Sequence, residues 1–128
     1  IYMNSHVEME PAIDAFLTLY ESVNREKPIK GLRWAFSHID QVTPTQIDRM
    51  KRLGMTAQIH TRPLIQGYLM HKFHGERAWS MPPMRLVHDS GIMWGLGSDA
   101  TAVDPGTSSS TVRRGTSPPV AKLSTALS

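Results

Sequence analysis

The stretch Gly91-Ile92-Met93-Trp94-Gly95-Leu96-Gly97-Ser98-Asp99 is a short apolar run without charge, followed by two small residues and a carboxylate. A run of this length with glycine at both ends is typical of an interior parallel strand rather than a helix. Asp99 would then lie just past the carboxyl end of the strand, where α/β proteins hold their chemistry. A lone aspartate at a strand end is as often only the cap of the next turn, so both interpretations stay open.

Two helices are predicted upstream of this strand. Residues 8–25 carry apolar side chains at three- and four-residue steps, the spacing of one helix face. Thr43-Pro44-Thr45-Gln46 has the pattern of a capping box, with proline at the first helical position. Gly54 is the expected end of this second helix, because glycine adopts the left-handed conformation of a helix terminus easily.

Further strands alternate with these helices. Residues 32–38 and 55–60 have the pattern of strands, and residues 82–90 predict a short helix. Residues 61–80 form a long connection of the kind that often makes lids or binding loops. Strict alternation of strand and helix predicts parallel β/α units, spaced near the roughly 31 residues per unit of an eight-unit barrel. We therefore expect an α/β fold that forms part of a TIM-type (β/α) barrel.

The chain divides into a barrel-like part, residues 1–105, and a Ser/Thr-rich tail, residues 106–128. The first part holds eleven basic and eleven acidic residues, so the net charge of +3 comes from Arg113, Arg114 and Lys122 in the tail. A neutral body with a thinly basic tail favours no nucleic-acid partner. We expect the tail to be poorly ordered or foreign to the fold.

Length and composition exclude several classes of protein. The absence of cysteine excludes disulfides and thiolate metal ligands, so any metal site must use histidine and carboxylate. No stretch approaches the about 18 apolar residues of a membrane span, and no signal peptide is visible; we predict a cytoplasmic location. The 128 residues are too few for a closed barrel of about 250. Together with Ile1 as the first residue, this length predicts a fragment.

Three histidines and one aspartate follow four successive predicted strands: His6, His38, His60 and Asp99. The ends of barrel strands surround one mouth, so these side chains are expected to meet there. Imidazole and carboxylate suit zinc or a similar divalent ion that activates water. Histidines at strand ends are also common as plain hydrogen-bonding residues. Arg62, in the loop after the third strand, would hold a substrate carboxylate or remain solvated.

Residues 6–101 resemble the C-terminal half of the catalytic barrel of the amidohydrolase superfamily, nearest to amidohydrolase family 3. The resemblance is carried by His6 with residues 11–17, by residues 33–38 with 49–54, and by residues 83–85 leading into 91–99. It implies barrel strands five to eight. It also implies that His6 and His38 are metal ligands, and that Asp99 lies near the metal and shuttles the proton.

The reaction that this resemblance implies is hydrolysis of a non-peptide carbon–nitrogen bond in a small amide, with zinc as the expected metal. The family's Gln-Pro and following histidine after strand seven are replaced here by Gln58-Ile59-His60. We therefore expect His60 to be a substrate contact, together with Arg62. The family's paired strand-one histidines and its strand-four bridging ligand are not in the sequence, so we expect the chain alone to be inactive.

Two other classes of function stay open. The chain would be a small non-catalytic α/β binding module if its histidines are incidental, or an interaction module that acts through its basic tail. A homo-oligomer is compatible with each of these.

Overall fold

The computed structural model of the chain describes residues 1–97 and 113–114. Four parallel strands form one sheet in the order in which they occur, and a short fifth strand lies antiparallel against the fourth. The strands are β1 (Asn4–His6), β2 (Ala35–Ser37), β3 (Thr56–His60), β4 (Trp94–Gly97) and β5 (Arg113–Arg114). The α-helices are α1 (Glu10–Glu26), α2 (Pro44–Leu53), α3 (Arg62–Ile65), α4 (Gly67–His74) and α5 (Met84–Asp89), and a 3-10 helix spans Gly75–Ser80.

This arrangement confirms the α/β class and the parallel β/α alternation, and it is consistent with part of a barrel. The assignment of the strands to barrel positions five to eight stays a prediction. Asp99 lies outside the described residues, and so does the tail of residues 106–128 apart from the two residues of β5. No helix in the described part of the chain is both long and apolar enough to cross a membrane.

The helix α1 follows the predicted apolar spacing. Ile13, Leu17 and Tyr20 lie on one face and are buried. The Tyr20 ring stacks on Phe36 of β2 at 5.7 Å between centroids. Burial of this face against the sheet holds α1 in place, since helices in proteins owe most of their stability to packing of an apolar side.

The predicted capping box of α2 is present. Thr43 Oγ1 accepts a hydrogen bond from the Gln46 backbone N–H at 3.2 Å. Gln46 Oε1 in turn accepts the Thr43 backbone N–H at 3.0 Å. The Gln46 amide also donates to the Glu10 carbonyl at 2.9 Å, which joins the first turns of α1 and α2. Gly54 ends the helix with φ of 69°, as predicted.

The sheet has one apolar and one polar face. Phe36 lies in register with Ala57, and both side chains are buried against the helices. Their neighbours Ser37 and Gln58 are also in register and lie on the opposite face. Ile59 is buried with the helix-facing group. The regular alternation of side chains along a strand therefore separates the core from a polar surface.

Two predicted segments differ from the structure. The long connection of residues 61–80 is helical, as α3, α4 and the 3-10 helix. No residue of α4 is buried, so this segment lacks the apolar stripe that reveals a helix in a sequence. The strand predicted at residues 32–38 is only three residues long, because Arg33 and His38 take φ of 54° and 64°, which interrupts extended backbone at both ends.

Candidate functional site

Three histidine rings meet at the carboxyl end of the parallel sheet. His6 is the last residue of β1, His38 follows β2, and His60 ends β3. The ring centroids of His6 and His38 are 4.5 Å apart, and those of His38 and His60 are 4.7 Å apart. His38 thus lies between the other two. Parallel pairing of the strands explains this convergence, because it aligns their carboxyl ends along one edge.

The backbone at His38 is unusual. Its φ of 64° is in the left-handed region, which is uncommon for residues other than glycine, although histidine is among the types enriched there. The chain therefore leaves the line of β2 immediately after Ser37. Residues held in such conformations cluster at functional sites, and this one carries the central ring of the three.

His60, the third of these rings, is hydrogen-bonded to Asp40. The distance from His60 Nε2 to Asp40 Oδ1 is 2.8 Å, and the two residues are only 6% and 7% exposed. The Asp40 backbone N–H donates to the Glu8 carbonyl at 2.9 Å, which ties the loop after β2 to the loop after β1. Burial raises the pKa of Asp40, and the hydrogen bond with His60 acts in the opposite direction.

The other nitrogen of His60, Nδ1, is buried and has no hydrogen-bond partner among the described residues. Unpaired buried polar atoms are rare in folded proteins, and each requires an explanation. Asp40 was not among the predicted site residues. It comes two residues after His38 in what the sequence presents as a polar turn, and only its position after a strand could have indicated a role.

A cavity of about 390 Å³ runs along the polar face of the sheet below the rings. It extends from Tyr2 and Thr56 near the amino ends of the strands to His38, His60 and Gly97 at their carboxyl ends. A cavity of this volume is within the range of sites for small molecules.

Tyr2, Ser37 and Gln58 contribute polar groups to the lining of this cavity. Ser37 Oγ lies 2.6 Å from both Asn4 Oδ1 and Gln58 Oε1. The Gln58 amide nitrogen lies 3.3 Å from the Tyr2 hydroxyl. These polar groups bond one another, and Met93, Trp94 and Leu96 add apolar surface to the lining.

The predicted metal ligands are only partly within the described chain. His6 and His38 lie together, and imidazole nitrogens are suitable ligands for a divalent ion. Asp99, the predicted third ligand and proton carrier, lies outside the described residues. Within residues 1–97, no group of three or more histidine, cysteine or acidic side chains is arranged to hold a metal. Arg62, a predicted substrate contact, begins α3 two residues after His60 and is exposed.

Comparison with models of protein families gives a match. A model of a family described as an amidohydrolase family matches residues 1–115, which is most of the chain. No curated protein and no solved structure matches.

Proposed function

The chain belongs to the amidohydrolase family, and from this premise we propose that it supplies part of the active site of a metal-dependent hydrolase of carbon–nitrogen bonds. The main support is the meeting of His6 and His38 at one edge of the parallel sheet, with ring centroids 4.5 Å apart. Both histidines lie within the matched region. The catalytic edge of α/β barrels is the carboxyl edge of the sheet, which is where these rings lie.

In this proposal, His6 and His38 hold a divalent metal, zinc in the first instance, through neutral ring nitrogens. Asp99 is the third ligand and carries the proton from water to the leaving amine. When bound, the metal supplies an activated water for attack on an amide carbonyl. His60 and Arg62 contact the substrate, and the cavity below the rings receives a small amide. The resemblance assigns other ligands to barrel strands outside this sequence, so we propose that the chain alone does not turn over amides.

Zinc binding by the purified chain tests the proposal. We would compare the wild type with His38→Asn, because asparagine tolerates the left-handed backbone at this position and lacks the imidazole. His88→Ala is the matched control: His88 lies in α5 with its ring against Trp94. We expect His38→Asn to weaken zinc affinity about 10-fold or more, on the scale of lost ligand-shell contacts, and His88→Ala to leave it unchanged.

Affinity is measured by isothermal titration, and circular dichroism verifies the fold of each variant. A wild-type chain that binds no zinc, or a folded His38→Asn variant with unchanged affinity, would refute the proposed metal site. The first result would favour a non-catalytic binding module.

A further inference from the structure

Asp40 is a buried residue that joins the loops carrying the three histidines, and the metal site proposed above gives it no task. Its backbone N–H donates to the Glu8 carbonyl at 2.9 Å, in the loop after β1. Its Oδ1 lies 2.8 Å from His60 Nε2, at the end of β3. Asp40 itself follows β2, two residues after His38. One residue therefore connects the carboxyl ends of three neighbouring strands.

The backbone is confined on both sides of His38. Before it, the Ser37 carbonyl accepts the Val7 backbone N–H at 3.0 Å. After it, the Ile39 side chain is buried in the core, and Asp40 is bonded through both its backbone and its side chain. The chain passes between these fixed points with His38 at φ of 64°. A strained conformation of this kind persists only where the surrounding structure determines it.

The hydrogen bond to Asp40 also fixes a ring against which the His38 ring lies. An ionised carboxylate can only accept, so the N–H of a neutral His60 ring is on Nε2 and directed at Asp40. Carboxylates commonly fix the orientation of a functional histidine in this way. The His38 ring centroid is 4.7 Å from that of His60 and 4.5 Å from that of His6. His38 is therefore confined between two rings, one of which Asp40 holds in place.

We propose that Asp40 is a positioning residue that holds His38 in its left-handed turn and keeps its ring beside that of His6. This inference rests on the proposed function, because its consequence is that the two imidazoles are arranged for a metal ion before any metal binds. Groups that are already held in the bound arrangement lose little conformational freedom on binding. Loss of an outer partner of this kind typically weakens metal affinity about 10- to 100-fold.

Three variants test the role of the Asp40 side chain. Asp40→Ala removes the acceptor, Asp40→Asn keeps an oxygen acceptor, and Asp48→Ala removes an exposed acid of α2 as a control. Proton NMR of the metal-free full chain at about pH 8, where an imidazole is ordinarily neutral, detects nuclear Overhauser contacts between the rings of His6 and His38. We expect these contacts in the wild type, in Asp40→Asn and in the control. We expect their loss in Asp40→Ala.

Zinc affinity, measured by isothermal titration, is the second readout. Asp40→Ala should bind zinc about 10- to 100-fold more weakly than the wild type, and Asp40→Asn should restore most of the affinity. A purely structural role would lower the free energy of unfolding of Asp40→Ala but leave the ring contacts and zinc affinity of the folded chain unchanged. That result would overturn the proposal, and so would equal losses of the ring contacts in Asp40→Ala and Asp40→Asn.

Measurements on the wild type decide the question if Asp40→Ala does not fold. Nitrogen-15 NMR should show the ring proton of His60 on Nε2, and the His38 ring should contact the rings of both His6 and His60. An unprotonated Nε2, or a His38 ring without these contacts, would overturn the proposal. Failure of the wild type to bind zinc would refute the metal site alone, because the ring contacts are measured without metal. The two proposals therefore fail separately.

Discussion

Replacement of Gly54 by alanine tests the turn that leads from α2 into β3, the strand that carries His60. Gly54 has φ of 69°, a conformation that costs an L-residue about 1–2 kcal/mol. A Cβ added there would lie 2.9 Å from Lys30 Cγ and 3.3 Å from Lys30 Cα. The first of these contacts can relax by side-chain rotation, but the second is with backbone and has little room to move.

Gly91 offers a matched control. Its φ is 72°, so alanine there meets the same backbone cost, but a Cβ would have no atom within 4 Å. Alanine at either site also reduces the entropy of the unfolded chain, which stabilises the folded state by about 0.4–1 kcal/mol and offsets part of the backbone cost. We expect Gly91→Ala to lose about 1 kcal/mol. Gly54→Ala should lose about 2 kcal/mol, since crowding against Lys30 adds about 1 kcal/mol at the lower end of overpacking costs.

The measurement is the free energy of unfolding in urea, followed by circular dichroism, for the wild type and both variants. The difference between the two variants isolates the close approach of Lys30, because the backbone term is common to both. Equal losses would show that the loop before β2 yields freely to a new methyl group. The reasoning from the geometry of this turn would then be wrong.

Two further substitutions are expected to change stability by separate mechanisms. Thr43→Ala removes the acceptor of the Gln46 backbone N–H and should lower the free energy of unfolding in urea by about 1 kcal/mol. The control Thr45→Ala, at an exposed position in the same turn, should lower it clearly less. Equal losses would contradict the role of the cap. The hydrogen bond from Arg49 lowers the pKa of Glu21 below its ordinary 4.5. The contribution of ionised Glu21 to the stability of the fold is therefore fully present above the unfolded pKa and is lost as the pH falls through the lower pKa of the folded state. Glu21→Gln should therefore flatten the decline of the urea midpoint between about pH 5 and pH 3, and an unchanged decline would refute this assignment.

The elements that the sequence predicted well are those with local chemical signals. Thr43, Gln46 and Gly54 define α2 because a capping box and a left-handed glycine depend on residues a few positions apart. The buried face of α1 was predictable because Ile13 and Leu17 follow helical spacing. The convergence of His6 and His38 followed from a general property of parallel sheets and needed no knowledge of packing.

What the sequence did not reveal depends on contacts between distant residues. Asp40 and His60 are paired across twenty positions, and no local pattern links them. No residue of the helix α4 is buried, so its sequence does not carry the periodic burial that marks other helices. The left-handed backbone at His38 was also not predictable from residue type, because few non-glycine residues adopt it even though histidine is enriched among them, and the surrounding structure must impose it.

The alternation of side chains along β3 couples the stability of the protein to the direction in which His60 projects. Ile59 and His60 are consecutive, so they project to opposite sides of the strand. A shift of one position in strand pairing would turn the isoleucine toward the cavity and place the imidazole in the apolar core beneath the helices. Selection for a well-packed core would thus keep the His60 imidazole on the cavity side of the sheet, even in a homologue that had lost its activity.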